Sequence, residues 1–156
     1  MKNYWLMKSE PGAYSIDDLQ KDRRTHWDGV RNYQARNLMR DQIKLGDKVL
    51  FYHSNTQPPG VIGVAFIVRE GYPDYTAFDP RDPHYDPKSK RESPRWYMVD
   101  IEFEKKLPRL ISLPELRMVQ ELEEMVLLKR SRLSVQPVRP SEFRTILELS
   151  RQKHTI

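Results

Sequence analysis

A chain of 156 residues with 27 Lys and Arg against 22 Asp and Glu, a net charge of +5 and no cysteine is long enough for one domain with a proper core. The missing cysteine excludes disulfides, thiol nucleophiles and zinc–thiolate sites, and apolar runs such as Val61 to Val68 fall far short of a membrane span. The positive excess admits a polyanionic partner without demanding one.

Asn3 to Met7 is continuously apolar from Tyr4 onward and reads as a first strand, not as a secretion signal, so the chain is not expected to be secreted. Lys8-Ser9-Glu10-Pro11-Gly12 breaks it, because proline fixes φ and glycine relaxes it. Ser15-Ile16-Asp17-Asp18 has the pattern of a helix cap, and a short helix is expected through Lys21. Residues 26 to 37 follow, with Asn32 placed to cap a helix from Tyr33 to Arg40.

Val49 to His53 reads as a strand, Ser54 to Gly60 as a loop, and Val61 to Val68 as a central strand. Gly63 inside that strand predicts a bulge or a close backbone approach. Residues 71 to 96 show no period and form a long irregular connection. Trp96 to Phe103 alternates as a strand, Ser112-Leu113-Pro114-Glu115 opens a helix, and Val119 to Leu128 has helical spacing. Leu133 to Val138 reads as a closing strand, and Pro140 opens a last helix through Leu149. The expected organisation is a single domain over 1–150, with 151–156 frayed. Single strands between short helices predict an α+β fold with a small, curved, mixed or mostly antiparallel sheet, not a doubly wound one.

Residues 26 to 37 concentrate rings, amides and guanidinium groups without an amphipathic period, as a recognition loop on a rigid scaffold does. Trp27 and Tyr33 offer faces for stacking a planar ligand. Asn32, Gln34 and Asn37 offer donor–acceptor pairs that match a base edge, and Arg31 and Arg36 can neutralise phosphate. These residue types point to binding a nucleotide without covalent chemistry on it.

Several strings, in order along almost the whole chain, match one family. They are Tyr4-Trp5-Leu6-Met7-Lys8-Ser9-Glu10-Pro11, the run Trp27 to Asn37, Phe51-Tyr52-His53-Ser54-Asn55, His84-Tyr85-Asp86-Pro87-Lys88-Ser89 and Arg132-Leu133-Ser134-Val135-Gln136-Pro137. In these the chain resembles the EVE domain proteins. The resemblance implies a PUA-like pseudo-barrel with short helices around it, and kinship with the YTH readers of methylated adenine. It also implies reading of modified bases, modified cytosine in DNA above all, through a pocket that takes a flipped base. By position Trp27 corresponds to the first wall of an aromatic cage, and the 71–96 connection supplies a second, for which Tyr85 is the choice. A bacterial protein of this kind would be cytoplasmic and a eukaryotic one nuclear.

The candidate base pocket is Lys8, Ser9, Glu10, Trp27, Asn32, Tyr33, His53, Ser54, Tyr85, Ser134 and Gln136. The candidate phosphate contacts are Arg31, Arg36, Lys88, Lys90, Arg91 and Arg132. The expected partner is nucleic acid, with modified DNA preferred and RNA possible. No membrane, cofactor or metal is expected, and the chain is expected to act as a monomer. A catalytic Ser54 lacks a Gly-x-Ser-x-Gly elbow, and His84-Tyr85-Asp86 is a weak metal pattern. Two alternatives stay open: an RNA-binding domain of the general PUA type, and a metal-dependent enzyme on nucleic acid using Asp74, Asp79, Asp82 or Asp86.

Overall fold

The computed structural model describes residues 2–129 and 132–152. Among the described residues six strands form one mixed sheet: β1 (Tyr4–Ser9), β2 (Arg24–His26), β3 (Lys48–His53), β4 (Gly60–Pro73), β5 (Tyr97–Ser112) and β6 (Val135–Val138). Their order across the sheet is β2-β5-β4-β3-β1-β6, with β1 parallel to β3 and every other pairing antiparallel. Around it, among the same residues, lie the helices α1 (Ile16–Asp22), α2 (Tyr33–Asp41), α3 (Leu113–Arg117), α4 (Val126–Lys129) and α5 (Pro140–Arg151).

The centre of the sheet is covered on both faces, which explains the unbroken apolar runs of β1 and β3. Trp5, Met7, Val49 and Phe51 point to one face, where α1 and α2 pack through Leu19 and Met39. Leu6, Leu50 and Tyr52 point to the other, against Leu116 of α3 and Phe143 and Ile146 of α5. The two sets alternate along each strand, as the pleat requires.

The predicted caps are present. Ser15 Oγ accepts from the Asp18 N–H at 3.1 Å, and the Asp18 carboxylate accepts from the Ser15 N–H at 2.9 Å. Asn32 Oδ1 accepts from the Ala35 N–H at 3.0 Å.

Boundaries differ where regular alternation fails. β4 and β5 run well past Val68 and Phe103, because register shifts at Val61/Gly63, Val64/Ala65, Ile67/Arg69 and Arg69/Tyr72 interrupt their period. The predicted bulge at Gly63 is one of these shifts. Val119 to Leu128 is not one helix but a 3-10 turn, Gln120–Leu122, followed by α4. Arg151, expected to fray, belongs to α5, and the Gln152 N–H closes it on Leu149. The rest of that tail, 153–156, lies outside the described residues. β2, three polar or half-exposed residues, carries no apolar signal and has no counterpart among the predicted strands.

The bulged pair β4–β5 coils the sheet, yet among the described residues no ladder joins the edge strands β2 and β6, so the barrel stays open.

Candidate functional site

A cleft of about 560 Å³ occupies the seam left by that incomplete closure. One side is Lys8 and Ser9 at the end of β1, Glu10, Ala13 and Tyr14 beyond it, and Ser134 just before β6. The other side is Thr25 and His26 of β2 and the loop Trp27 to Arg31, with His84 from the long connection. Its volume lies within the roughly 300–1,000 Å³ of small-molecule sites.

Trp27 is both core anchor and cleft wall. Its residue is only 8 % exposed, and its ring meets Phe51 edge-on at 5.6 Å. Its backbone N–H donates to the Val99 carbonyl at 2.7 Å, extending the β2–β5 pairing by one residue. Phe51 therefore backs the ring and Val99 fixes the backbone of a residue that lines the cleft.

Asp74 holds the loop in place. This fully buried carboxylate accepts from the Gly29 N–H at 2.8 Å and Arg31 Nη1 at 3.0 Å through Oδ2, and from the Thr76 N–H at 2.9 Å and hydroxyl at 2.5 Å through Oδ1. Burial pushes its carboxyl upward, but the bonds from Thr76, Gly29 and Arg31 outweigh it and hold the group below the usual carboxylate range. Arg31 also donates through Nη2 to the His84 carbonyl at 2.6 Å and lies over the Trp96 ring at 5.3 Å. Gly29 has φ +77°, and the His84 ring packs where its Cβ would be. One acid on the 71–96 connection thus positions both Gly29 and Arg31, and Arg31 in turn ties down His84.

The polar groups of the cleft form two sets. Asp28 Oδ2 is 3.9 Å from His26 Nε2 and 3.9 Å from His84 Nδ1, and Asp82 lies 3.3 Å from the same His84 nitrogen. Across from them are Lys8, whose ammonium burial makes easier to deprotonate, and Glu10, which accepts from Asn55 Nδ2 at 3.3 Å. Tyr14, raised to about 12 by burial and by its bond to Asp22, stays a neutral donor. The cleft offers an apolar wall with acceptors and donors around its mouth.

Of the candidate residues, the cleft brings together Lys8, Ser9, Glu10, Trp27, Arg31 and Ser134. Much of the 8–10 backbone is already committed: the Lys8 N–H donates to Ser134, Ser9 accepts from Ser54, and the Glu10 carbonyl accepts from Ala13 and Tyr14. Side chains must supply most of the recognition there. His53 and Ser54 lie outside the cleft; His53 Nε2 accepts the Ile16 N–H at 3.1 Å, which ties α1 to β3. Gln136 is fully buried and donates to the Leu133 carbonyl at 2.7 Å. Asn32 is the α2 cap. Tyr85 is half-exposed outside the cleft, and its neighbour His84 is the residue of that loop that lines it. Tyr33 stacks on Trp96 at 4.9 Å, away from the cleft lining, with Arg36 over its ring. Lys88, Lys90, Arg91 and Arg132 are exposed outside it.

Sequence reasoning missed His84, Asp28 and the organiser Asp74. The Asp28-Gly29 turn signal was available, but the approach of Asp74, 45 residues away, was not. The acids considered for a metal are engaged as acceptors: Asp74, Asp79, Asp82 and Asp86 each accept from the N–H two residues on, the usual aspartate turn, and Asp86 also from Trp96 Nε1 at 2.6 Å.

Residues 3–149 match the family described as EVE domain. The chain is 48% identical over 168 residues to thymocyte nuclear protein 1 of Rattus norvegicus, covering 96% of this chain and 74% of that protein. Two solved structures are similar at TM-score 0.93. One is the human THYN1 protein in complex with DNA containing 5-methylcytosine, at 44% identity over 98% of this chain and 100% of that chain. The other is a protein from Leishmania major, at 50% identity over 96% of this chain and 95% of that chain.

Proposed function

The chain belongs to the EVE domain family, and from that premise we propose that it is a DNA-binding reader of a modified base, modified cytosine first, which it takes into the cleft beside Trp27 without covalent chemistry. The observation that carries this reading is the cleft wall itself: Trp27, its ring backed edge-on by Phe51 and its backbone fixed to Val99, lines a cleft of about 560 Å³. The solved complex of the human THYN1 protein with DNA containing 5-methylcytosine supports the choice of ligand.

In this reading Trp27 stacks on the ring, and Val30 and Ala13 give a 5-methyl group apolar contact. Asp28 or Glu10 accepts from the exocyclic amine of cytosine. A base–aromatic stack contributes about 1–3 kcal/mol, and extruding the base costs a few kcal/mol. Stacking and edge bonds therefore roughly offset extrusion, and phosphate contacts supply the net affinity. Binding should be weak and strongly salt-dependent. The reading needs a compartment that holds DNA, the cytoplasm of a bacterium or the nucleus of a eukaryote.

The test is a titration of matched duplexes with and without 5-methylcytosine, with the same sequence as RNA in a third arm. The wild type should prefer the modified duplex, and Trp27→Ala should bind both duplexes alike. Equal wild-type affinities for the two duplexes would refute modified-base reading, and tighter binding of the RNA would move the assignment to an RNA-binding domain.

A further inference from the structure

We propose that a second nucleic-acid contact lies outside the cleft, where α2 meets the segment before β5. There Tyr33, Arg36 and Arg95 form a preorganised seat for the phosphodiester backbone of the strand whose base the cleft takes. The inference rests on the DNA-reading proposal above and adds the course of the flanking strand.

Tyr33 is 51% exposed although its ring stacks on buried Trp96 at 4.9 Å and 26°. The Arg36 guanidinium lies 4.8 Å from the Tyr33 ring centre. Its Nε donates to Asn37 Oδ1 at 2.9 Å, and its Nη1 donates to the Arg95 carbonyl at 2.7 Å. Arg95 Nη1 in turn reaches the Tyr33 hydroxyl at 3.5 Å.

Every one of these partner groups is neutral. Neighbouring Arg31 and Arg40 pair with Asp74 at 3.0 Å and Asp41 at 2.8 Å. Among the described residues no carboxylate forms an ion pair with Arg36 or Arg95. A carboxylate in direct contact, as at Arg31 and Arg40, offsets an arginine's charge. Here a ring and neutral oxygens fix the fork, while the charges of Asp86 near Arg95 and Asp41 near Arg36 act without direct contact. The ordering cost of the side chain is met before any ligand arrives.

The position of the seat favours a strand that also enters the cleft. Arg31, a cleft residue, lies over Trp96, and Trp96 stacks on Tyr33, so one run of contacts joins the cleft wall to the seat. The Arg95 N–H is fixed to Ser89 Oγ at 3.0 Å, within the loop that carries exposed Lys88, Lys90 and Arg91. Fixed cations in series beside an exposed ring suit a sugar–phosphate chain, which repeats its charge along the path.

The experiment is a salt series of fluorescence-anisotropy titrations with the full chain and the two duplexes. For Arg36→Gln with Arg95→Gln, the slope of log K against log salt should become shallower by about 0.9 for each phosphate that the variant no longer neutralises. Both duplexes should weaken by the same factor, with the ratio between them unchanged. Arg36→Lys with Arg95→Lys should keep the slope, and Trp27→Ala should keep the slope while abolishing the ratio. A second measurement changes the DNA instead of the protein: duplexes with neutral methylphosphonate linkages beside the modified base should flatten the wild-type slope and leave that of the glutamine variant, its fold checked by its melt, unaffected.

An unchanged slope in the glutamine variant, or equal flattening of wild type and variant by the neutral linkages, overturns the seat while base reading stands. Slope changes as expected with no preference between duplexes would sink base reading and leave the seat. No binding to either duplex at low salt overturns both.

Discussion

Replacing Asp74 by Asn tests whether one buried carboxylate organises the cleft. The substitution barely changes volume, so its effect isolates hydrogen-bond polarity. Both carboxylate oxygens face fixed backbone donors, the Gly29 N–H at 2.8 Å on one and the Thr76 N–H at 2.9 Å on the other. Whichever way the amide turns, its NH2 group meets a backbone N–H, and Arg31 is deprived of its buried counter-charge. Breaking a buried pair from one side costs about 3–5 kcal/mol. A chain of this size shifts its Tm by roughly 2–4 °C per kcal/mol, so the melt should fall by about 6–20 °C. The pH dependence follows from the same site. The folded-state pKa of Asp74 lies below the unfolded value of about 3.9, so its contribution is complete above that value and disappears as pH falls through the folded one. Urea melts across this window should show wild-type stability dropping more steeply than that of the Asn variant. A destabilisation under about 1 kcal/mol, well short of the range for a broken buried pair, or parallel acid limbs, would refute the role given to Asp74.

His53 accepts the Ile16 N–H and must be neutral to do so, and burial lowers its pKa from the ordinary 6.5. The unfolded chain therefore takes up this proton first, and stability should decline as pH falls below about 6.5. His53→Gln keeps an acceptor that does not titrate and should flatten that decline in denaturant melts; a parallel decline would show that another group is responsible. Gly29→Ala forces a side chain into a backbone with φ +77° and places Cβ 2.5 Å from His84 Nε2. It should cost about 1–2 kcal/mol in strain and shift the His84 ring resonances in NMR spectra. Gly63→Ala puts a methyl 2.4 Å from Ile16 Cδ1 and should cost about 1–3 kcal/mol. Adding Ile16→Val, which removes that atom, should recover part of the stability in a double-mutant cycle.

The sequence by itself determined the elements whose signals are local. Ser15 and Asn32 cap their helices because a side-chain oxygen needs only the N–H groups of the next turn. β1 and β3 were legible because strands buried on both faces carry no polar alternation to confuse the reading. The 26–37 stretch stood out by its chemistry, and its first part, from His26 to Arg31, lines the cleft. Tertiary structure decided which of its neighbours join it. β2 shares a cleft with β1 because bulges between β4 and β5 coil the sheet, and bulges follow from long-range register that no window of sequence contains. His84 lines the cleft and Tyr85 does not, because an aperiodic loop sets side-chain direction through its individual backbone angles. Asp74 reads as an ordinary turn aspartate, and its second oxygen acquires a partner only when the chain brings Gly29 to it across 45 residues. Local propensity sets the elements of this protein, while the cleft depends on curvature and on contacts that exist only after the sheet has formed.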